Sequence, residues 1–250
     1  MITIGITTYN RPDKLKTLLN DIYVLLPYAT VIVVDDGSTY NYKDTLRVLG
    51  KFKKNIYYKI QPNNGREGYY KTQNVLLEKV RETENKYVFI FPDDIRLIEN
   101  IFSRALIIFQ NLPEISALNL LNVSSGALRN QWYNHHINIY EVDNEEVISS
   151  NYVDMCFLTT MDRYNQFPGY TGKYLCKTGT GVGRELTDYF KKQGVIYQVR
   201  NSFVIHGGHD SKLNKYEREK NPLITNEKYC WCRSTRNIIG LKNLNQTYTK

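Results

Sequence analysis

Short apolar segments alternate with amphipathic segments along the first half of the chain. The apolar segments are rich in β-branched residues and predict strands at 2–8, 30–34, 56–60, 87–91 and 115–121. Between them, apolar positions at helical spacing predict a helix that begins near residue 12 and further helices at 42–49, 68–81 and 98–109. Strands that alternate with helices and are apolar throughout predict an α/β fold with a mostly parallel central sheet.

The alternation becomes irregular after about residue 122. The segments "NHHINIYEV" and "IYQVRNSFVIHGG" predict strands, and 183–192 predicts a helix. Between them, 154–181 carries aromatic residues and glycines without a period that favours either element. A chain of 250 residues suits one large domain. We therefore expect a regular half, 1–122, and a less regular half, 123–250, within one domain.

Each of the first four predicted strands is followed by a polar segment that favours a turn. These segments are "TTYNR", "DDGST", "QPNNGREG" and "PDDI". In an open parallel sheet, ligands bind outside the carboxyl ends of the strands, so the four segments predict one binding site. No G-x-G-x-x-G turn or P-loop lysine motif is present to bind phosphates. The adjacent carboxylates Asp93 and Asp94 instead suit Mg²⁺ or Mn²⁺, which would neutralise a diphosphate.

Composition adds charge and compartment to this picture. The net charge of +8 favours an anionic partner such as a nucleotide, nucleic acid or a membrane surface. The start of the chain lacks the pattern of a signal peptide, and no apolar run approaches the length of a membrane span, so we expect a soluble, cytoplasmic protein. The spacing of the four cysteines is neither a CxxC pair nor a zinc motif, which predicts free thiols.

The order of four segments, "ITTYNRPDKL", "VIVVDDGST", "NNGREGYYKTQN" and "YVFIFPDDI", resembles the GT-A-type, family-2-like glycosyltransferases. The resemblance covers roughly the first half of the chain. It implies a GT-A fold with a smaller acceptor-side C-terminal portion. It also implies an enzyme that uses Mn²⁺ or Mg²⁺ to move a sugar from a nucleotide-diphosphate sugar, UDP-sugar above all, to a hydroxyl acceptor. On this basis 1–122 binds the nucleotide sugar, and 123–250 binds the acceptor and completes the metal site.

The resemblance also implies roles for individual residues. Thr7 and Tyr9 match positions that line the nucleobase, and Asp36 matches the residue that bonds its edge. Pro92 stands in the first place of the family's metal motif, so Asp94 is the expected metal ligand, and Asp93 is expected either to contact the ribose or to support the metal site without binding the ion. The other expected nucleotide-sugar contacts are Arg11, Gly65, Lys71 (a phosphate contact) and Asn74. Gln73 stands where the family usually has arginine.

The further metal ligand and the base that deprotonates the acceptor are expected in the second half of the chain. In "VIHGGHDS", His206 is the first candidate for a further metal ligand and His209 the second. Inverting members of the family carry a Glu-Asp pair that deprotonates the acceptor, and this chain lacks it. Glu185 and Asp188 share a helix face at i, i+3 and are candidates for the base, with Asp154 a further candidate. The alternative for Glu185 and Asp188 is an ordinary solvated helix face, and the stereochemistry stays open.

The acceptor and the activity itself have alternatives. The acceptor is either a saccharide of a glycan or a hydroxymethylated or glycosylated pyrimidine in duplex DNA. The basic segments "KLNKYEREK" and "CWCRSTR" favour DNA. A catalytically inactive nucleotide-sugar-binding domain would explain the missing Glu-Asp pair, whereas the acid pair Asp93–Asp94 speaks against it. A nucleotidyltransferase would be expected to carry a glycine- and arginine-rich loop after the first strand, and "TTYNRPDK" is not one.

Overall fold

The computed structural model describes residues 1–65, 68–97, 101–112, 114–121, 139–153, 155–174, 181–200 and 202–206. The strands are β1 (Ile2–Thr8), β2 (Thr30–Asp35), β3 (Lys54–Lys59), β4 (Tyr87–Pro92), β5 (Ile95–Leu97), β6 (Ile115–Asn119), β7 (Ile139–Val142), β8 (Glu145–Ser150), β9 (Phe157–Thr160), β10 (Val195–Val199) and β11 (Val204–His206). The helices are α1 (Pro12–Leu25), α2 (Lys43–Leu49), α3 (Tyr69–Arg81), α4 (Ile101–Asn111), α5 (Met161–Gln166) and α6 (Gly181–Gln193).

Nine strands form one sheet in the order β3-β2-β1-β4-β9-β6-β10-β8-β7. The first four of these are mutually parallel, and β10 is parallel to β6. Strand β9 is antiparallel to both of its neighbours, β4 and β6, and β7 and β8 complete an antiparallel edge. The predicted α/β class with a mostly parallel sheet is therefore confirmed. β5 and β11 form a separate antiparallel pair.

The strands of the sheet are apolar because a layer of helices covers each of its faces. On one face, Ile4 and Ile6 of β1 pack in a core with Leu18 and Leu19 of α1 and with residues of α2 and α4. On the other face, Ile32 and Val34 of β2 pack in a second core with residues of α3, α5 and α6, among them Leu76. Burial on both faces accounts for the continuous apolar runs that marked these strands in the sequence.

Several predicted elements differ from the structure. The segment 154–181, for which no element was predicted, contains β9 and α5. Strand β9 is short and buried on both faces, so its sequence shows no alternation of apolar and polar residues. The single strand predicted in "IYQVRNSFVIHGG" is two strands, β10 and β11, which belong to different sheets. Strand β5 follows the acid pair directly and was not predicted. Within the described residues, no helix is both long and apolar enough to cross a membrane.

Candidate active site

The carboxyl ends of β1, β2 and β4 lie side by side at one edge of the sheet. The parallel register pairs Thr8 with Asp35 on one side and Thr7 with Pro92 on the other. The segments that follow these strands therefore start at the same level, which brings the polar residues of three loops together. The acid pair Asp93–Asp94 lies in the turn between β4 and β5.

We call Thr8, Arg11, Asp93 and Asp94 the acid cluster. Asp93 is 4% exposed and Asp94 6%. One nitrogen of Arg11, Nη1, donates to Asp93 Oδ1 at 2.9 Å and to Asp94 Oδ2 at 3.0 Å. The Thr8 hydroxyl donates to Asp93 Oδ2 at 2.7 Å. Burial raises the pKa of the Asp93 carboxyl to about 6, although the neighbouring Arg11 charge opposes the rise.

The backbone around Arg11 is fixed by Tyr42, a residue that the motifs did not single out. The Arg11 N–H donates to the Tyr42 hydroxyl at 2.9 Å. The same hydroxyl lies 3.0 Å from Thr8 Oγ1 and accepts from Ser38 Oγ at 3.2 Å. Tyr42 is 5% exposed and packs in the core, so the base of the acid cluster is held by a buried side chain from the start of α2.

Asp36 lies in the loop that follows β2 and is bound by residues of the loop after β3 and of α3. Its Oδ1 accepts from Thr72 Oγ1 at 2.8 Å and from the backbone N–H of Asn64 at 3.2 Å. Burial raises the pKa of the Asp36 carboxyl. The next residue, Gly37, has φ of +73°, and a Cβ there would lie 2.8 Å from the Asn63 backbone. Only glycine allows the two loops to approach so closely.

Thr7 and Gln73 belong to a buried hydrogen-bonded group that also includes Tyr69. Gln73 Nε2 donates to Thr7 Oγ1 at 3.2 Å and to the Tyr69 hydroxyl at 2.6 Å, and these two hydroxyls lie 3.0 Å apart. Gln73 is completely buried, and its Oε1 has no partner among the described residues. The glutamine that replaces the family's usual arginine therefore supports Thr7 from within the protein.

Asn10, which no sequence motif indicated, joins the loops after β1 and β2. Asn10 adopts a positive φ of 54°. Its Oδ1 accepts from the backbone N–H of Thr39 at 2.8 Å, and its own N–H donates to Ser38 Oγ at 2.7 Å. The signal was present in the sequence, since asparagine favours left-handed turns. Tyr9, the expected nucleobase contact, is next to this junction and is 37% exposed.

Gly65 and Lys71 flank the start of α3. Gly65 has φ of +65°, and its N–H donates to Asn63 Oδ1 at 2.8 Å. Lys71 lies in the first turn of α3 and is exposed, with its ammonium 5.9 Å from the centroid of the Tyr70 ring. Both residues belong to the connection that follows β3, and their roles as contacts of the nucleotide sugar stay predictions.

Side chains of α3 hold the first part of the segment 167–174, which we call the anchored loop. Asn74 pairs with the backbone of Tyr170, donating from Nδ2 to the carbonyl at 2.8 Å and accepting at Oδ1 from the N–H at 2.7 Å. Arg81 Nη2 donates to the carbonyl of Phe167 and to that of Asn165, the latter at 2.8 Å. Asn74 was predicted to contact the nucleotide sugar. Here its amide is occupied by the loop backbone.

Side chains of α6 hold the second part of the anchored loop. Glu185 Oε2 accepts from the Thr171 N–H at 2.7 Å and from its hydroxyl at 2.9 Å, and Oε1 accepts from the Gly172 N–H at 2.9 Å. Asp188 accepts from the Tyr174 hydroxyl. Glu185 is 6% exposed, so the solvated helix face is wrong for this residue. Its carboxylate binds a loop, and its role as a base stays a prediction.

The backbone of His206 lies opposite the residue that follows the acid pair. In the β5–β11 ladder, His206 pairs with Ile95. Strand β5 is itself fixed to α1, because Arg96 binds Asp21 through Nε at 2.6 Å and Nη2 at 3.0 Å, and the Leu97 N–H donates to the same carboxylate at 3.2 Å. The other candidates, His209 and Asp154, lie outside the described residues.

The acid cluster has the donor chemistry of a site for a hard divalent cation. It offers two buried carboxylates, and a cationic guanidinium already bridges one oxygen of each. Across the described ranges, no three His, Cys, Asp or Glu residues form a metal-binding group. The register of β11 places a histidine backbone beside this pair. The two carboxylates therefore suit Mg²⁺ or Mn²⁺ by their chemistry, and Asp94 as the metal ligand stays a prediction.

Solved structures with a similar fold include TarS from S. aureus and a mannosyltransferase. For residues 1–349 of S. aureus TarS, also solved with UDP and with UDP-GlcNAc, the TM-score is 0.57 at 14% identity, and the match covers 81% of this chain and 59% of that one. For the mannosyltransferase PcManGT from Pyrobaculum calidifontis, in complex with GDP-Man and Mn²⁺, the TM-score is 0.59 at 12% identity, covering 88% and 60%. At such identities these likenesses show the fold alone.

The family is shown by the sequence. No curated protein matches the chain. The model of the family described as Glycosyl transferase family 2 matches residues 3–157, a range that runs from β1 to the first residue of β9 and includes the acid cluster. Because this match extends over more than half of the chain, the chain belongs to glycosyl transferase family 2.

Proposed function

We propose that the chain moves a sugar from a UDP-sugar to a hydroxyl acceptor with the help of Mn²⁺ or Mg²⁺. The observation that carries the proposal is the buried acid pair Asp93–Asp94 at the carboxyl end of β4, at the edge of the sheet where Thr7 and Asp36 also lie. A ligand at this edge meets carboxylates suited to a metal on one side and a carboxylate suited to a base on the other.

The nucleobase side is best suited to a base with a ring N–H. The hydrogen-bond partners of the Asp36 side chain among the described residues all bind Oδ1, and in this proposal Oδ2 accepts from the ligand. Uracil offers N3–H, whereas cytosine offers an acceptor at that position and would be repelled by the carboxylate. Thr7 and Tyr9 line the base in this proposal. The choice of UDP accords with the UDP and UDP-GlcNAc complexes of TarS.

The diphosphate side rests on the acid cluster. Asp94 is the proposed metal ligand, with Asp93 beside it and His206, or else His209, as a ligand from the end of β11. When bound, the metal would neutralise the diphosphate and stabilise it as a leaving group. Lys71 supplies a further positive charge for the phosphates from the exposed first turn of α3. A neighbour of the same fold binds Mn²⁺ with GDP-Man.

The acceptor side has three proposed bases and two proposed acceptor classes. Glu185 and Asp188 lie at the anchored loop, and Asp154 precedes β9 in the sequence. One of them takes the proton of the acceptor hydroxyl as the glycosidic bond forms. The net charge of +8 is compatible with a glycan or with modified DNA. Salt separates the two, because DNA affinity falls steeply with ionic strength whereas saccharide affinity changes little.

The experiment that tests the proposal is a panel of nucleotide sugars, each incubated with and without Mn²⁺ and scored for slow hydrolysis. Hydrolysis needs no acceptor, so it names the donor directly. We expect one UDP-sugar to be hydrolysed only with Mn²⁺, and the Asp94→Ala variant to be silent. If the whole panel is silent while the chain still binds UDP, the alternative of an inactive nucleotide-sugar-binding domain is correct.

A further inference from the structure

A single guanidinium occupies the carboxylate oxygens that face one another in the acid cluster. Arg11 Nη1 lies within 3.0 Å of one oxygen of Asp93 and one of Asp94, and Thr8 binds the other oxygen of Asp93. Both Asp93 oxygens are therefore engaged, and the shared position between the two carboxylates is taken by an arginine. We propose that Arg11 and the divalent metal compete for this position, and that Arg11 turns to the donor's diphosphate when the metal enters. This inference rests on the proposed function.

Charge and burial make the two cations exclusive. The side chains of Asp93 and Asp94 are only 6% and 5% exposed, so solvent and salt screen this site weakly. With one guanidinium bound, the two carboxylates keep a net charge of about −1. A divalent ion in place of the guanidinium would neutralise both carboxylates. Both cations together would place like charges a few ångströms apart in a poorly screened site, which is unfavourable. A metal that bridges the two carboxylates also needs the two oxygens that Arg11 now binds.

Arg11 has a route and a destination when it leaves the carboxylates. Its backbone is fixed by the hydrogen bond to Tyr42 and by the first turn of α1, where the Leu15 N–H donates to the Arg11 carbonyl at 3.1 Å. Only the side chain has to rotate. That side chain is 21% exposed at the site edge of the sheet, while its partners are buried. Its planar set of N–H donors matches the oxygens of a phosphate.

The exchange has a thermodynamic consequence. A metal that binds alone must break two charge-assisted hydrogen bonds of Arg11 and leave that side chain in solvent. A metal that arrives with a nucleoside diphosphate gives Arg11 a new anionic partner. Metal and UDP therefore strengthen each other's binding, and the coupling is reciprocal. Until a donor is present, Arg11 offsets one of the two negative charges of the acid pair.

The test measures Mn²⁺ binding rather than turnover. Free Mn²⁺ is followed by electron paramagnetic resonance during titration of the protein, with and without UDP. Arg11→Met removes the competing charge and keeps the length of the side chain. We expect it to bind Mn²⁺ alone about tenfold or more tightly than the unmodified chain, and to lose most of the enhancement by UDP. Arg47→Met, which removes an exposed positive charge on α2, is the control and should change neither value.

Two buried carboxylates without a cation could prevent Arg11→Met from folding. In that case Arg11→Lys keeps the proposal testable. A single ammonium bridges the pair less well, so this variant should also bind Mn²⁺ alone more tightly, by a smaller factor. Equal affinity of the unmodified chain and both variants for Mn²⁺ alone would overturn the competition while leaving the proposed function in place. Absence of Mn²⁺ binding by the unmodified chain even with UDP would overturn both.

Discussion

The acid cluster and the anchored loop are both polar, but they use their polar groups differently. In the acid cluster, charged side chains from two loops bind one another, and Arg11 is the cation that holds Asp93 and Asp94 together. In the anchored loop, side chains on α3 and α6 bind backbone groups of 167–174, as Glu185 does with Thr171 and Gly172. The first set of contacts can be exchanged for a ligand, whereas the second must persist for the loop to keep its shape.

The contacts of the acid cluster are suited to binding a ligand, whereas the contacts of the anchored loop maintain the shape of the site. Substitutions in the acid cluster should cost activity more than stability, because a ligand or another side chain can replace the lost contact. Substitutions that release the anchored loop should cost stability first, because a buried N–H without an acceptor is unfavourable in the folded state.

Asp94→Ala should abolish metal-dependent turnover, by about 1000-fold or more, because it removes the proposed metal ligand. The fold should stay intact, since Arg11 keeps Asp93 as a partner. Donor hydrolysis with Mn²⁺ measures the first effect and circular dichroism with thermal melting the second. Normal transfer by this variant would refute the metal assignment.

Glu185→Gln should lower the free energy of unfolding by about 3 kcal/mol, because an amide nitrogen cannot accept from the loop backbone as the carboxylate does. Turnover per folded molecule should fall less than about tenfold if Glu185 only anchors the loop. Urea denaturation and donor–acceptor kinetics measure the two quantities, with the exposed Glu78→Gln as control. A loss above about 100-fold at unchanged stability would instead identify Glu185 as the base.

Asn74→Ala should lower the free energy of unfolding by about 2 kcal/mol, since two hydrogen bonds to the Tyr170 backbone disappear. Asn111→Ala removes a comparable but exposed bond to the Ile107 carbonyl and should cost less. Urea denaturation gives the stabilities, and titration with UDP gives the donor affinity. Weaker UDP binding at unchanged stability would mean that Asn74 contacts the donor, as its sequence motif implied.

Asp93 should give a gradual effect, a dependence of stability on pH. Its pKa in the folded chain is about 6, above the ordinary 3.8. The stability that this proton contributes is therefore fully present below pH 3.8 and is lost as the pH rises through about 6. Relative to Asp93→Asn, the unmodified chain should lose up to about 3 kcal/mol across that window. Urea denaturation at several pH values checks this, and the exposed Asp162→Asn should show no such trend.

The sequence predicted those parts of the site whose signals are local. Apolar runs located β1, β2 and β4, and the polar segments after them located Asp36 and the acid pair. Partners were not predictable in the same way. Nothing near Glu185 in the sequence indicates that Thr171 and Gly172 bind it, and nothing near Arg11 indicates which carboxylates it joins. These contacts depend on how distant segments pack, and an asparagine or glutamate looks alike in a ligand site and in a loop anchor.

Sheet order was likewise beyond the pattern of apolar residues. A four-residue strand such as β9, buried on both faces, gives no alternation and resembles a loop with aromatic residues. Its antiparallel direction follows from packing between β4 and β6, which no local signal records. Gln73 is a similar case, because its departure from the usual arginine was visible but its complete burial beneath Thr7 was not.

The place of β9 also governs how the molecule can assemble. Strand β9 joins β4 to β6, with Tyr87 paired to Thr160 across a long stretch of intervening chain. During synthesis, the facing edges of β4 and β6 stay unpaired until β9 has been made, and an unpaired apolar edge invites association with other chains. The two halves predicted from the sequence, 1–122 and 123–250, thus share one sheet. Cutting the chain at residue 122 would leave a sheet without its middle strand.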